Sequence, residues 1–175
     1  MFSRWWLFPL GLLLSCTAAA ALVIVFAAII VSPSLPDLSV LTDYQPKVPL
    51  RIFSVEGQLI GEFGEERRAV VKIDAVPKSM RDAILAAEDD RFYQHGGVDY
   101  LGVMRAAFSN FVSGGARQGA STITMQVARN FFLSKEKTLT RKFTEVLLAF
   151  KIEHSLSKDQ ILELYLNQIY LGQRA

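Results

Sequence analysis

A chain of 175 residues is long enough for one compact domain and too short for several. With 19 Lys and Arg against 17 Asp and Glu, its formal net charge of +2 is too small to argue for nucleic acid as a partner. Cys16 is the only cysteine, so the chain can form no internal disulfide.

No charged side chain occurs between Arg4 and Asp37. Within that interval residues 7–31 form a 25-residue run, LFPLGLLLSCTAAAALVIVFAAIIV, of which 14 are Leu, Ile, Val or Phe. As a helix this run is roughly 38 Å long, enough to cross a hydrocarbon core of about 30 Å with some tilt. Its large apolar residues favour insertion by about 4 to 8 kcal/mol. A transmembrane helix is therefore predicted over residues 7–31, behind a short cytoplasmic amino terminus of residues 1–6. A cleaved signal peptide has an apolar region of only about 7 to 15 residues. Ala18 and Ala20 form an A-x-A, but apolar sequence continues past them. Leu-Leu-Ser-Cys16 resembles a lipoprotein cleavage site, yet cutting there leaves a second apolar stretch that already anchors the protein. Arg4, with few acids to oppose it, puts the amino terminus in the cytoplasm and everything after Asp37 outside.

Residues 32–49 carry four prolines and read as a linker, with the following domain beginning near residue 51. In RIFSVEGQLIGEF, residues 51–63, two β-favouring runs flank Glu56-Gly57 and suit a hairpin. AVVKI, residues 69–73, can add a third strand and close a small β region at about residue 74. From residue 75 onward the periodicity is helical. Met80, Ile84 and Ala87 share a face of a first helix over residues 79–89. Asp99 can cap a second, with Leu101, Met104, Phe108 and Phe111 recurring at helical spacing until Ser113-Gly114-Gly115 breaks it. Ser121 or Thr122 opens a third helix, through Asn130. Thr140 opens a fourth, with Phe143, Val146, Leu147, Phe150 and His154 on one side. Ser157 and Gln160 make a capping box for a fifth, ending near Gly172.

Three segments carry candidate chemistry. In EDDRFYQHGG, residues 88–97, three acids stand where the helix dipole disfavours negative charge. That misfit suits a catalytic carboxylate, and it equally suits an ordinary helix end; His95 reads as a structural hydrogen-bonding residue. In QGASTITMQVARN, residues 118–130, Ser121 and Thr122 at a helix start can bind an anion or simply cap the helix. Residues 129–142 hold Arg129, Lys135, Lys137, Arg141 and Lys142 against the single acid Glu136. Such a run is either a solvated basic face or a site for a diphosphate or anionic headgroups. Glu145 follows Arg141 by four positions, in an orientation worth only about a few tenths of a kcal/mol on a helix surface.

Taken together, these segments resemble the glycosyltransferase domain of class A penicillin-binding proteins and their monofunctional transglycosylase relatives. Residues 88–97 fit the family's E-D-x-x-F-x-x-H-x-G, and residues 119–126 fit G-x-S-T-I-x-x-Q, followed by Arg129-Asn130. Arg141-Lys142-x-x-Glu145 fits R-K-x-x-E, and residues 161–172 fit I-L-E-x-Y-L-N-x-x-x-x-G. Four patterns in order behind an apolar helix are far more specific than any one of them. The resemblance implies a mainly α, lysozyme-like glycosyltransferase domain over residues 75–175, incomplete at its C-terminus, working at the outer membrane surface. Its implied substrates are lipid II and the growing lipid-linked glycan, with other cell-wall synthesis proteins as partners. Glu88 then corresponds to the general base, and Glu145 to a second essential acid that helps hold the donor site. Arg129, Lys137, Arg141 and Lys142 match diphosphate-side positions, while Ser121, Thr122, Gln126 and Asn130 line the donor cleft. A divalent metal, Mg²⁺ or Mn²⁺, is implied through the substrate phosphates and Glu145.

The family pattern continues past Gly172 with a further R-x-x-x-V-L motif that this sequence does not contain, so the 175 residues alone are expected to be poorly active. Two other classes stay open on the residues themselves. A lysozyme-like hydrolase shares a helical fold and a catalytic Glu but has no need of the basic cluster. A membrane-anchored glycan-binding module needs neither.

Overall fold

A computed structural model describes residues 7–42, 50–64, 70–115, 119–134, 136 and 138–169. The chain divides into two units, residues 1–36 and 37–175.

The first unit is helix α1, Leu7–Val31, followed by a 3₁₀ turn at Ser32–Ser34. Residues 9–34 include an 18-residue stretch of mean hydropathy 2.7, none of which is buried. A helix this long and apolar all round is able to cross a membrane, by length and composition. Ser15 and Thr17 donate their hydroxyls to the carbonyls of Leu12 and Leu14, so neither brings an unpaired polar group into the bilayer. A membrane-anchoring helix stands where the composition places it.

The second unit starts with a short helix α2, Ser39–Thr42, within the stretch read as linker; Leu38 and Leu41 there are buried. Residues 43–49 lie outside the described residues. Strands β1, Leu50–Phe53, and β2, Leu59–Phe63, pair antiparallel with a bulge at Ile52/Phe53. Gly57 turns the hairpin at φ +81°, a conformation that suits glycine. The expected third strand does not form. Residues 70–72 have no strand conformation, and Ile73–Ala75 is a 3₁₀ turn. The reason is local competition for the backbone: both the N–H and the carbonyl of Val71 are bound by the Asn167 side chain.

Five helices follow: α3 Lys78–Glu88, α4 Tyr100–Ser113, α5 Ile123–Phe132, α6 Leu139–Ser155 and α7 Lys158–Gln168. The core is built around α5, which packs against both α6 and α7. Ile123, Val127 and Ala128 of α5 meet a core that includes Leu148 and Ile152 of α6 and Ile161, Leu162 and Tyr165 of α7, all buried. The capping box at α7 is present, with Ser157 and Gln160 bonding reciprocally.

Four expectations shift. The cap of α6 is Thr138, whose side chain accepts the Arg141 N–H, and not Thr140. The buried face of α6 runs through Glu145, Leu148, Ala149 and Ile152, one step round from the Phe143, Val146, Leu147 and Phe150 row. On α4 the row Leu101, Met104, Phe108, Phe111 is 59 to 85 % exposed, and Ala106 is the helix's one buried residue. Asp99 stands at the N-cap position of α4 but makes no side-chain cap bond there; its carboxylate lies 3.0 Å from Arg91.

Gly97 shows how closely the loop after α3 fits. Its φ is +91°, and a Cβ there lies 3.2 Å from the backbone of Ala149. Gly97→Ala is expected to destabilise the domain by about 1 to 3 kcal/mol, through strain and crowding together, read as a lower urea midpoint.

Candidate active site

The loop after α3 is tied to the start of α5 by a buried carboxylate. Asp89 accepts the Ile123 N–H at 3.1 Å and lies 2.9 Å from His95 Nε2. Thr122, the N-cap of α5, accepts the Met125 N–H at 3.2 Å and donates its hydroxyl to the Gly97 carbonyl at 2.6 Å. The expected anion site at this helix start is therefore filled from within: Asp89 is the anion and Thr122 the cap. The Thr122 hydroxyl hydrogen is committed to Gly97. His95 is structural, holding Asp89.

The next acid back behaves differently. Glu88, the last residue of α3, is exposed, and its Oε2 accepts a hydrogen bond from Gln126 Nε2 of α5 at 2.9 Å. A cleft of about 550 Å³ opens in front of it, lined among others by Glu88, Asp90, Arg105, Ser121, Gln126 and Arg129. Base candidate, hydroxyl and guanidinium thus share one wall. A narrower groove continues past Gly119, Ala120, Ser121 and Thr122.

Glu145 sits behind this wall with only 1 % exposure. Its Oε1 accepts from Arg141 and its Oε2 from Lys142 at 3.0 Å. Lys142 in turn donates to Ser121 Oγ at 2.6 Å, so Glu145 reaches the cleft through one cation and one hydroxyl. The pair with Arg141 is no surface bridge, because its carboxylate is buried. Asn130 is exposed on α5 and is not among the residues lining the cleft. Lys137 and Lys135 lie outside the described residues.

Sequence reasoning gave Arg105 and Tyr165 no role, and counted Asp90 only as one of the three acids of residues 88–97. Arg105 is the one charged residue of α4 and lies 3.6 Å from Asp90 in the same cleft. A single charge on a helix rich in large apolar residues was the available signal. Tyr165 is buried, and its hydroxyl has no hydrogen-bond partner among the described residues. Burial, and then the nearby Glu88 carboxylate, push that hydroxyl up to about 12, against the opposing pull of Arg129.

Both oxygens of Glu145 are engaged by cations, a donor set that does not fit a metal ion. Among the described residues no group of three or more His, Cys, Asp or Glu gathers as a metal cage.

The family model described as Transglycosylase matches residues 56–175. Penicillin-binding protein 1A of Neisseria cinerea is 58 % identical over 165 residues, 94 % of this chain and 21 % of the relative. Penicillin-binding protein 1A of Neisseria gonorrhoeae is 60 % identical over 160 residues, covering 91 % and 20 %. That of Escherichia coli K12 is 55 % identical over 145 residues, covering 83 % and 17 %. The chain spans about a fifth of the length of the relatives it matches. A match over residues 56–175, with the E-D, S-T-I, R-K-x-x-E and I-L-E segments all inside it, settles the family: the chain belongs to the transglycosylases.

Proposed function

We propose that this chain carries the catalytic part of a peptidoglycan glycosyltransferase, which polymerises lipid II into glycan strands with inversion and loss of undecaprenyl diphosphate. The observation that carries the reading is the wall shared by Glu88, Ser121, Gln126 and Arg129 in one open cleft. An exposed carboxylate there can take the proton from an acceptor sugar's 4-hydroxyl as that oxygen bonds to the donor's anomeric carbon. The bond from that carbon to the diphosphate oxygen breaks, and the diphosphate leaves with the electron pair. Arg129 lines the cleft and Lys142 reaches it through Ser121, and both offset the charge that develops on the leaving group. Glu145 holds Arg141 and Lys142 in place. Lys137 belongs to the same proposed set. Because Glu145 is occupied, a divalent cation in this reading travels with the substrate's phosphates, and none of these steps runs through it.

The anchoring helix serves the same reaction. Substrate and enzyme confined to one membrane surface meet at a raised effective concentration. We place the amino terminus in the cytoplasm and the domain on the outer face, on the strength of Arg4.

Incubating the full-length gene product with lipid II, and separately with purified glycan strands, tests the reading. Release of diphosphate lipid with chain growth is expected. Cleavage of glycan strands instead would assign the cleft to a hydrolase, and binding without either product would assign it to a docking module.

A further inference from the structure

Helix α3 ends on Glu88, yet none of its own residues is buried. Arg81, Ile84 and Leu85 are its half-buried residues, and the rest of the helix is exposed. A helix draws most of its stability from packing, so one this lightly covered must be placed by what holds its two ends. At the carboxyl end Asp89 is locked to Ile123 and His95, and Glu88 itself to Gln126.

At the amino end the chain enters α3 through residues 71–77, where Ile73 and Val76 are buried. Two side chains of α7 grip this entering segment by its backbone. Asn167 accepts the Val71 N–H at 2.9 Å and donates to the Val71 carbonyl at 2.9 Å, the pair of bonds that a neighbouring β-strand would make. Its amide also donates to the Glu163 carbonyl at 2.8 Å, which orients it. Glu163 accepts the Ile73 N–H at 2.9 Å through Oε2 and the Lys72 ammonium at 3.1 Å through Oε1. The two residues stand four apart on one face of α7 and hold Val71 and Ile73 two apart on an extended strap. The same helix α7 packs on α5, which carries Gln126 and Arg129.

We propose that Glu163 and Asn167 are positioning residues for Glu88: through the strap at residues 71–73 they fix the start of α3 to the frame that carries the cleft's cations. The proposal rests on reading Glu88 as the base. It gives the Glu and Asn of the I-L-E-x-Y-L-N segment a function that contact with substrate does not explain. Loss of the strap lets α3 shift along its length, and displacing a reacting group by about 1 Å costs on the order of 100-fold in rate.

The test uses the full-length gene product with lipid II. Asn167→Ala is expected to lower kcat by about 10- to 100-fold while KM moves less than about threefold, since the cleft's binding wall on α5 stays in place. Amide hydrogen exchange at Val71 and Ile73 should accelerate while exchange along α5 does not. Glu163→Gln keeps an oxygen for the Ile73 N–H and should retain most of kcat, where Glu163→Ala should not. It also carries the test if Asn167→Ala fails to fold. In a Glu88→Gln background Asn167→Ala should cost less than about twofold more, because the group it positions is already disabled. Full kcat in Asn167→Ala despite fast exchange at Val71 and Ile73 overturns the proposal, as does a loss fully additive with Glu88→Gln. Wild-type turnover in Glu88→Gln alone instead overturns the base reading, and this proposal with it.

Discussion

Glu88→Gln in the full-length gene product is expected to lower lipid II polymerisation by about 10² to 10⁴-fold, the range that a positioned general base contributes. The amide is nearly isosteric and retains an oxygen for the Gln126 Nε2–H, so the side chain keeps its place on the cleft wall. What it loses is the ability to take a proton. Stability should change by no more than about 0.5 kcal/mol, because Glu88 is exposed and α3 ends there. Loss of turnover with an unchanged urea midpoint and unchanged lipid II binding is the expected pattern. Unchanged turnover removes Glu88 from the mechanism, and Asp90 in the same cleft becomes the acid to test next.

Glu145→Ala should act mainly on the fold. The carboxylate is fully buried and engaged at both oxygens, by Arg141 and by Lys142. Removing it leaves two cations of one helix without a counter-charge, and Arg141 is itself largely covered. Breaking a buried pair from one side costs about 3 kcal/mol, which should appear as a large drop in the urea midpoint. Lys142 then loses the partner that holds it toward Ser121, so turnover should fall as well. Glu145→Gln, which keeps the volume and one acceptor, should be the milder change. Full stability with lost turnover in Glu145→Ala would instead give this acid a direct chemical role.

These two residues divide what could be read from the chain. Glu88 was conspicuous because an acid at a helix C-terminus works against the helix dipole, and the structure leaves it exposed on the cleft wall. Glu145 looked like half of a weak surface pair, since spacing on one helix says nothing about which face another helix will cover. Spacing left Thr122 open either to bind an anion or to cap the helix; it caps the helix, and the Gly97 carbonyl, 25 residues away in sequence, takes its hydroxyl.

The apolar span, the hairpin turn at Gly57, the helix starts at Thr122 and Ser157 and the order of the helices were all decided locally. Each depends on residues within a few positions of one another, where propensity, capping and hydrophobic period act directly. Tertiary structure decided the rest, through partners that no local rule connects. Asp89 fills the start of α5 from 34 positions away, and Asn167 takes the Val71 backbone from 96. That second bond turns a stretch of strand-forming residues into a strap. A backbone group satisfied by a distant side chain no longer needs a neighbouring strand, and only the packing of α7 could bring that side chain there.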